Sequence, residues 1–212
     1  MTKTRSLVLL YLAGTLLFGR PLLAQDSPAS APSLPVIDYN ACPFEGCTFG
    51  KWIVTRETSL FSTWREGREA LGVTLKKEQI VTGLTGVHIT YEPDRILIRE
   101  AIPELRVQPG DIILRYMYHG EGFCDLWAKG QWKKEYDCTF ITELNHGGCL
   151  RDCAATASSE GKKEWWVQVK TPQGATGWSK AEGQFDCMDS LGGEPKCGKL
   201  QSNSPQDSET PK

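Results

Sequence analysis

Residues 165–178 have the sequence WWVQVKTPQGATGW, which combines an alternating strand, a turn and a second aromatic stretch. Residues 165 to 170 alternate in two sets, so Trp165 and Trp166 are expected on opposite faces of one strand. The following segment, Thr171-Pro172-Gln173-Gly174, suits a β-turn because proline presets φ at its second position. The stretch therefore predicts an antiparallel hairpin.

The same two-residue period recurs along the chain and predicts a mainly β protein. Lys129-Gly130 is expected to close a hairpin between Leu126 and Trp132. Residues 59–71 are predicted as a long loop or one helical turn, because Gly67 interrupts any helix. The strands expected to pair antiparallel are Ile80–Leu84, Val87–Tyr91, Ile112–Tyr118, Phe123–Ala128, Trp165–Lys170 and Thr176–Ser179.

The N-terminus has the order of charged, apolar and small residues that is typical of a secretory signal peptide. Lys3 and Arg5 precede an apolar run over residues 6–18, and Ala24 offers a cleavage point. A run of that length reaches about 20 Å as a helix, which is too short for a hydrocarbon core of about 30 Å. We expect cleavage of residues 1–24, a periplasmic or secreted mature protein, and no membrane span after cleavage.

Composition divides the rest of the chain. Residues 25–37 are rich in proline, serine and alanine, which predicts a flexible linker. Residues 38–144 are interpreted as a first β unit, residues 145–198 as a second β unit or a completing hairpin, and residues 199–212 as a disordered tail. The formal net charge is −2, so composition gives no reason to expect nucleic acid as a partner.

All eight cysteines follow the predicted signal peptide, and their even number indicates disulfide bonds. Short spacings favour local pairs, Cys42 with Cys47 and Cys149 with Cys153. Cys187 and Cys197 enclose a Gly-Gly-Glu-Pro turn and are also expected to pair. Elimination then leaves Cys124 with Cys138.

Two phrases of the chain resemble bacterial SH3-like (SH3b) domains. One is residues 72–84, GVTLKKEQIVTGL, and the other is the hairpin of residues 165–178. The resemblance implies one small barrel with a large insertion, or two tandem barrels, because some eighty residues separate the phrases. The chain also resembles exported bacterial SH3 domain-containing proteins that open with a CPFEGC-type segment, here Cys42 to Cys47.

The candidate catalytic and metal-binding groups favour a protein without enzymatic activity. Asp137-Cys138 faintly resembles the nucleophile phrase of cell-wall peptidases, but a disulfide role for Cys138 is favoured because no suitably spaced histidine follows. His146, Cys149 and Cys153 form only one ligand cluster, whereas structural zinc sites usually combine two. We therefore predict no metal and no cofactor. His88 and His119 are interpreted as surface residues.

Tryptophan is the most suggestive feature, with seven in the chain. Core packing explains most of them, but exposed aromatic rings can stack on sugars or hold an extended peptide. Trp127 and Trp166 are the candidate ligand-binding residues, because each flanks a hairpin and has polar strand neighbours. Glu121 is a third candidate, since it lies between two glycines on a predicted loop.

These observations predict a binding or interaction module of the bacterial cell envelope. Its expected ligand is a peptide, a glycan such as peptidoglycan, or an envelope protein. The alternatives are a cell-wall hydrolase or an accessory subunit of one, and a purely structural or inhibitory exported protein. The missing pairing of nucleophile and base distinguishes the first reading from the hydrolase.

Overall fold

A computed structural model describes residues 30–144, 153–191 and 197 of the chain. These residues form strands and a single 3-10 turn, Pro103–Leu105, so the predicted all-β class is confirmed. In chain order the strands are β1 (Val36–Tyr39), β2 (Lys51–Val54), β3 (Thr58–Phe61), β4 (Ala70–Leu75), β5 (Ile80–Glu92), β6 (Asp94–Ile98), β7 (Ile112–Gly120), β8 (Phe123–Ala128), β9 (Gln131–Asp137), β10 (Ile141–Thr142), β11 (Ala155–Ser159), β12 (Lys162–Lys170), β13 (Thr176–Lys180) and β14 (Phe185–Asp186).

The strands make two sheets, each curled into a half-barrel. The first sheet has the order β14-β2-β5-β12-β13-β3-β4. Its central strand β5 pairs along one edge with β2 and then with β1, and along the other edge with β12. The β12–β13 hairpin is closed by the amide of Gly174, which donates to the carbonyl of Thr171 over 2.9 Å, as residues 171–174 predict.

The second sheet has the order β10-β11-β6-β7-β8-β9 and comes entirely from residues 94–159, between β5 and β12. The domain boundary expected at 144/145 falls between β10 and β11, which pair with each other in parallel. All other strand pairs are antiparallel. The hairpin predicted at Lys129-Gly130 is present between β8 and β9.

Two local expectations are corrected. The strands expected at 80–84 and 87–91 are one continuous strand, because β12 pairs along both halves of β5 and carries it through Gly86. The segment 59–71 is not helical, since Thr58–Phe61 and Ala70–Leu75 pair with each other and only residues 62–69 form a loop.

Each face of the hairpin strand β12 serves a different cluster, as its alternation predicts. Trp165, Val167 and Val169 join the main core of the first sheet, whereas Trp166 packs with Val87 and Ile89 on the opposite face. The second sheet buries its own core, which includes Ile96, Ile98, Leu105, Val107, Ile113, Cys124, Leu126, Ala128, Cys138, Ile141, Ala155 and Ala157.

A buried network of charges ties the two sheets together. Asp94, the first residue of the second sheet, accepts hydrogen bonds from Arg115 on β7 at 2.8 Å and from Lys163 on β12 at 2.5 Å. The other oxygen of Asp94 accepts from the amide of Gly161 at 2.8 Å. Glu143 holds the far side of the Arg115 guanidinium. A side-chain hydrogen bond of 2.7 Å from Thr90 to the carbonyl of Tyr116 adds a second link.

Three of the predicted disulfides are confirmed: Cys42–Cys47, Cys124–Cys138 and Cys187–Cys197. Cys153 is also disulfide-bonded, and Cys149, its predicted partner, lies outside the described residues. The signal peptide, most of the linker and the C-terminal tail fall outside those residues too, so these assignments stay predictions. Among the residues that are described, no helix is long and apolar enough to cross a membrane.

Candidate binding surfaces

The outer face of the first sheet carries an aromatic array. Trp166 is buried at its centre beside Val87 and Ile89, and further rings pack around it. The alternation of β12 places Trp166 opposite the main core, and Val87 is its direct partner on β5. A register shift between Gly83 and Thr85 turns Val87 and Ile89 to this face. The partly buried members of this array are Ile37, Phe61, Trp64, Tyr91 and Trp178.

One edge of this face forms an open groove with a volume of about 320 Å³, here called the aromatic groove. Tyr39 is 60% exposed at its rim and meets Trp64 edge to face, with ring centroids 6.1 Å apart. Ile37 and Ile89 supply an apolar floor between the rings. The residues that line the groove are Pro35, Ile37, Tyr39, Trp64, Arg65, Glu66, Ile89 and Tyr91.

Cations lie over the aromatic rings of this face. The guanidinium carbon of Arg65 is 5.0 Å from the ring centroid of Trp64, and that of Arg68 is 4.4 Å from Trp166. The ammonium of Lys162 lies 5.4 Å from the centre of Tyr91. These contacts are favourable because a cation is attracted to the negative face of an aromatic ring. The surface therefore offers rings and positive charges side by side.

The loop that carries Trp64 is fixed by its own hydrogen bonds. The amide of Ser62 donates to the carbonyl of Glu69 over 2.9 Å, and the amide of Glu69 donates to the hydroxyl of Ser62 over 3.1 Å. Arg68 donates from one guanidinium nitrogen to the carbonyls of Trp64 and Arg65, at 3.3 and 3.1 Å. A ligand would meet a largely ordered surface, which reduces the entropy lost on binding.

Trp166 forms the floor of the aromatic face and is not an open platform. Its side chain is only 3% exposed, with Arg68 above it and Phe61 at its edge. Its indole N–H donates to Glu164 over 3.0 Å, and Lys180 pairs with the same carboxylate. Although burial alone would raise the pKa of Glu164, these hydrogen bonds lower it, so the carboxylate stays ionised.

The other two predicted ligand residues lie on the second sheet, away from the aromatic array. Trp127 is half-buried on β8 and stands directly opposite Trp132 on β9. Trp132 in turn meets Tyr116 at a centroid distance of 4.8 Å. Glu121 is exposed in the two-residue turn between β7 and β8, where its φ of 51° is followed by 82° at Gly122. The structure thus places the three predicted residues at three different surfaces.

Glu121 stands at the mouth of a second concave surface, here called the inter-sheet cleft. Residues 38–47 form one wall and β7, β8 and β9 form the other, in two connected hollows of about 350 and 390 Å³ that share Cys42, His119 and Glu135. Gly120 brings the walls together, because a Cβ there would lie only 2.9 Å from the backbone of Glu45.

A hydrogen-bonded pair of His119 and Asp125 lies in this cleft. The Nε2 atom of His119 is 2.8 Å from Asp125, a carboxylate that also accepts from the amide of Glu135 at 2.9 Å. The hydrogen bond to Asp125 raises the pKa of His119, against the effect of partial burial. His119 is therefore half-buried and paired, so its interpretation as a simple surface residue is corrected.

His88 was also expected at the surface, and the structure shows that it is buried. Its side chain is 7% exposed, because β5 is enclosed on both edges and its inner face meets the second sheet. Burial, followed by the charge of Lys163, lowers the pKa of His88 to about 4. The imidazole is therefore neutral at physiological pH.

The structure bears on the predicted catalytic and metal-binding candidates at two places. Cys138 is bonded to Cys124, and a disulfide sulfur is not a thiolate nucleophile. Within the described ranges, the only three potential metal ligands that converge are Asp186, Cys187 and Cys197, and both of those sulfurs belong to one disulfide. Of the zinc candidates from the sequence, His146 and Cys149 lie outside those ranges, and Cys153 is disulfide-bonded.

Comparisons of the chain with protein-family models, with curated proteins and with solved structures give no match.

Sequence reasoning missed Tyr39, Trp64 and Arg68 as members of one surface. Tyr39 and Trp64 are 25 residues apart in the numbering. Tyr39 ends β1, whereas Trp64 lies in the loop between β3 and β4 on the other side of β5, so no local spacing connects them. The one available signal is composition, because Trp64-Arg65 and Arg68 combine an aromatic residue with arginines in a single polar loop. That combination is typical of binding loops.

Proposed function

We propose that the protein is a non-enzymatic binding module of the bacterial cell envelope, and that its ligand is a carboxylate-bearing glycan held in the aromatic groove. The observation that carries this proposal is that one exposed and two half-buried aromatic rings alternate with cations on one ordered surface. Tyr39, Trp64 and Tyr91 present rings, while Arg65 and Lys162 stand over two of them.

A glycan fits this surface better than a purely apolar ligand. The C–H face of a sugar ring packs on an aromatic face, and the planar guanidinium of Arg65 can hold a carboxylate with two hydrogen bonds. Glu66 adds an acceptor for sugar hydroxyls at the same rim. The sequence predicts an exposed aromatic ligand surface, and the rings of Tyr39 and Trp64 support assigning that surface to the groove.

The location outside the cytoplasm belongs to the same proposal. Buried disulfides such as Cys124–Cys138 are compatible with an oxidising compartment, and the predicted signal peptide provides the route of export. The relation to bacterial SH3-like domains is likewise proposed, supported by the two curled β half-barrels and by the resemblance of residues 72–84 and 165–178.

Calorimetric titration tests the proposal. The probe is the disaccharide of N-acetylglucosamine and N-acetylmuramic acid, and the neutral dimer of N-acetylglucosamine is the control ligand. We expect the acidic disaccharide to bind more tightly, and Trp64→Ala to weaken it about tenfold, equivalent to about 1.4 kcal/mol. Trp127→Ala is the matched control and should leave the affinity unchanged.

Two outcomes would contradict the proposal. One is equal affinity for the acidic and neutral sugars, since the cations would then play no part. The other is loss of binding in Trp127→Ala with full binding in Trp64→Ala, which would move the site to the second sheet. Tight binding of an acidic peptide in place of either sugar would reassign the ligand class.

A further inference from the structure

Three disulfide bonds are described at both of their cysteines, and they differ in their access to solvent. Cys124–Cys138 and Cys187–Cys197 are buried, since no cysteine of these two pairs is more than 5% exposed. The two cysteines of Cys42–Cys47 are half-buried, and both line the open hollow of about 350 Å³ in the inter-sheet cleft. A thiolate can attack an accessible disulfide directly, whereas a buried one reacts only after the protein opens.

The chain on the N-terminal side of Cys42 is held by contacts that do not depend on its disulfide. The amide of Ala41 donates to the carbonyl of Gly86 over 3.0 Å, and the carbonyl of Ala41 accepts from the indole N–H of Trp165 over 2.9 Å. Phe44 also packs edge to face on Trp165, with ring centroids 5.8 Å apart. These contacts fix Cys42 beside β5 and β12 of the first sheet.

A second set of contacts holds the chain at Cys47. The carbonyl of Gly46 accepts from the amide and from the hydroxyl of Ser190, at 2.7 and 2.9 Å, and Cys47 pairs with Asp189 in an isolated β-bridge. Both ends of the loop 42–47 are therefore anchored to other parts of the protein. Two thiols produced by reduction would stay close enough together to form the bond again.

The fold should tolerate the loss of this bond. Its cysteines are 5 residues apart, against 14 for Cys124–Cys138 and 10 for Cys187–Cys197. A disulfide that closes a shorter loop constrains the unfolded chain less, so this bond is expected to stabilise the protein least of the three. Cys42 and Cys47 only border the core of the first sheet, whereas Cys124 and Cys138 belong to the core of the second.

The loop 42–47 is also one wall of the inter-sheet cleft. The backbone of Glu45 lies so close to Gly120 that a Cβ on that glycine would be only 2.9 Å away. Gly120 ends β7 and precedes Glu121, which lines the same hollow. Because the disulfide restricts the backbone of this loop, breaking it would alter the wall that faces residues 119–121.

We infer that the Cys42–Cys47 bond is a site of reversible thiol–disulfide exchange with an external dithiol, and that its redox state changes the shape of the inter-sheet cleft. One thiolate of the dithiol attacks a sulfur of the bond, and the other sulfur leaves as a thiolate that takes up the proton given up by the attacking thiol. The second thiol of the reagent then resolves the mixed disulfide in the same way. The dithiol is oxidised to a disulfide, and the protein gains two electrons and two protons. This reaction is independent of the aromatic groove and goes beyond the proposed glycan binding.

Timed reduction of the intact native protein tests the reactivity of the bond. The probe is dithiothreitol at neutral pH without denaturant, each sample is quenched with N-ethylmaleimide, and the labelling of each cysteine is followed by peptide mass spectrometry. We expect Cys42 and Cys47 to be labelled together, at least about tenfold faster than the cysteines of the two buried pairs. Equal rates for the three pairs, or faster labelling of a buried pair, would overturn the inference.

Nuclear magnetic resonance of the oxidised and reduced protein tests the effect on the cleft. Reduction should shift the backbone amides of residues 118–123 and leave the indole signal of Trp64 in place, and oxidised glutathione should restore the first spectrum. The matched control is the double variant Cys42→Ser, Cys47→Ser, in which the amides of residues 118–123 should be shifted from the start and should not respond to dithiothreitol. The inference fails if these amides do not move on reduction, if reoxidation does not restore them, or if the double variant does not fold.

Discussion

The guanidinium carbon of Arg68 lies 4.4 Å above the ring centroid of Trp166, so the central tryptophan of the aromatic face is capped by a charge. Phe61 closes one edge of the same ring, and Glu164 accepts the indole N–H. Trp166 therefore stabilises the surface from below, while Trp64 and Tyr39 line the aromatic groove.

Replacement of this floor residue should destabilise the protein. Trp166→Ala removes a large buried side chain and leaves Glu164 without its indole donor, so we expect a loss of about 3–5 kcal/mol in the free energy of unfolding. Urea denaturation measures it. Arg68→Ala should cost about 1 kcal/mol or less, as for an exposed cation–π contact. A Trp166→Ala protein as stable as the wild type would show that the ring is not part of the packed floor.

The ion network between the sheets gives a second prediction. Asp94 is buried and holds both Arg115 and Lys163, so Asp94→Asn leaves two cations without their shared counter-charge. We expect a loss of about 3–5 kcal/mol. The control is Glu57→Gln, which breaks the exposed pair with Lys76 and should cost less than about 1 kcal/mol. Equal effects of the two changes in urea denaturation would contradict this role of Asp94.

The buried histidine predicts a specific loss of stability in acid. The pKa of His88 falls from 6.5 to about 4 on folding, so the unfolded chain binds a proton that the folded chain refuses between these values. Stability is therefore fully present above pH 6.5 and decreases as the pH falls towards 4, by about 3 kcal/mol from this group. Urea denaturation across that range should show a shallower decrease in His88→Gln. An unchanged pH dependence in that variant would show that His88 is not the cause.

His119 acts in the opposite direction and provides a check. Its pKa is raised by Asp125, so its contribution is fully present below the ordinary histidine pKa of 6.5 and is lost as the pH rises through the raised value. Titration of the imidazole signals by nuclear magnetic resonance should place the pKa of His119 above 6.5, and Asp125→Asn should bring it down. A pKa at or below 6.5 in the wild type would contradict the pairing with Asp125.

Much of the fold follows from local sequence patterns, and the arrangement of the surfaces does not. Alternation in residues 165–170 predicts both faces of β12, and Thr171 to Gly174 predicts its turn. The burial of His88 could not be predicted, because it depends on the second sheet, whose residues 94–159 lie between the two central strands of the first. Local patterns likewise selected Trp127 and Trp166 as ligand residues, whereas Trp166 is buried in the first sheet and Trp127 lies on the second sheet. A ligand surface formed by aromatic residues stays a prediction.

The disulfides also show where sequence patterns alone are insufficient. Cys42–Cys47 and Cys187–Cys197 follow from short spacing, whereas Cys124–Cys138 was reached only by elimination. Its cause is the pairing of β8 with β9, which brings Cys124 opposite Tyr136 and Cys138 just beyond the strand. Cysteine spacing alone does not indicate that two strands pair across a tight turn.

The central claim is that the aromatic groove of the first sheet binds an acidic glycan, and the indole signals of the tryptophans test it most directly. The ¹H–¹⁵N signals are assigned with single Trp→Phe variants, and the acidic disaccharide is then titrated into the protein. We predict that the Trp64 signal shifts in proportion to occupancy, while those of Trp127 and Trp132 on the second sheet stay in place. Shifts at Trp127 or Trp132 with a stationary Trp64 signal would contradict the claim.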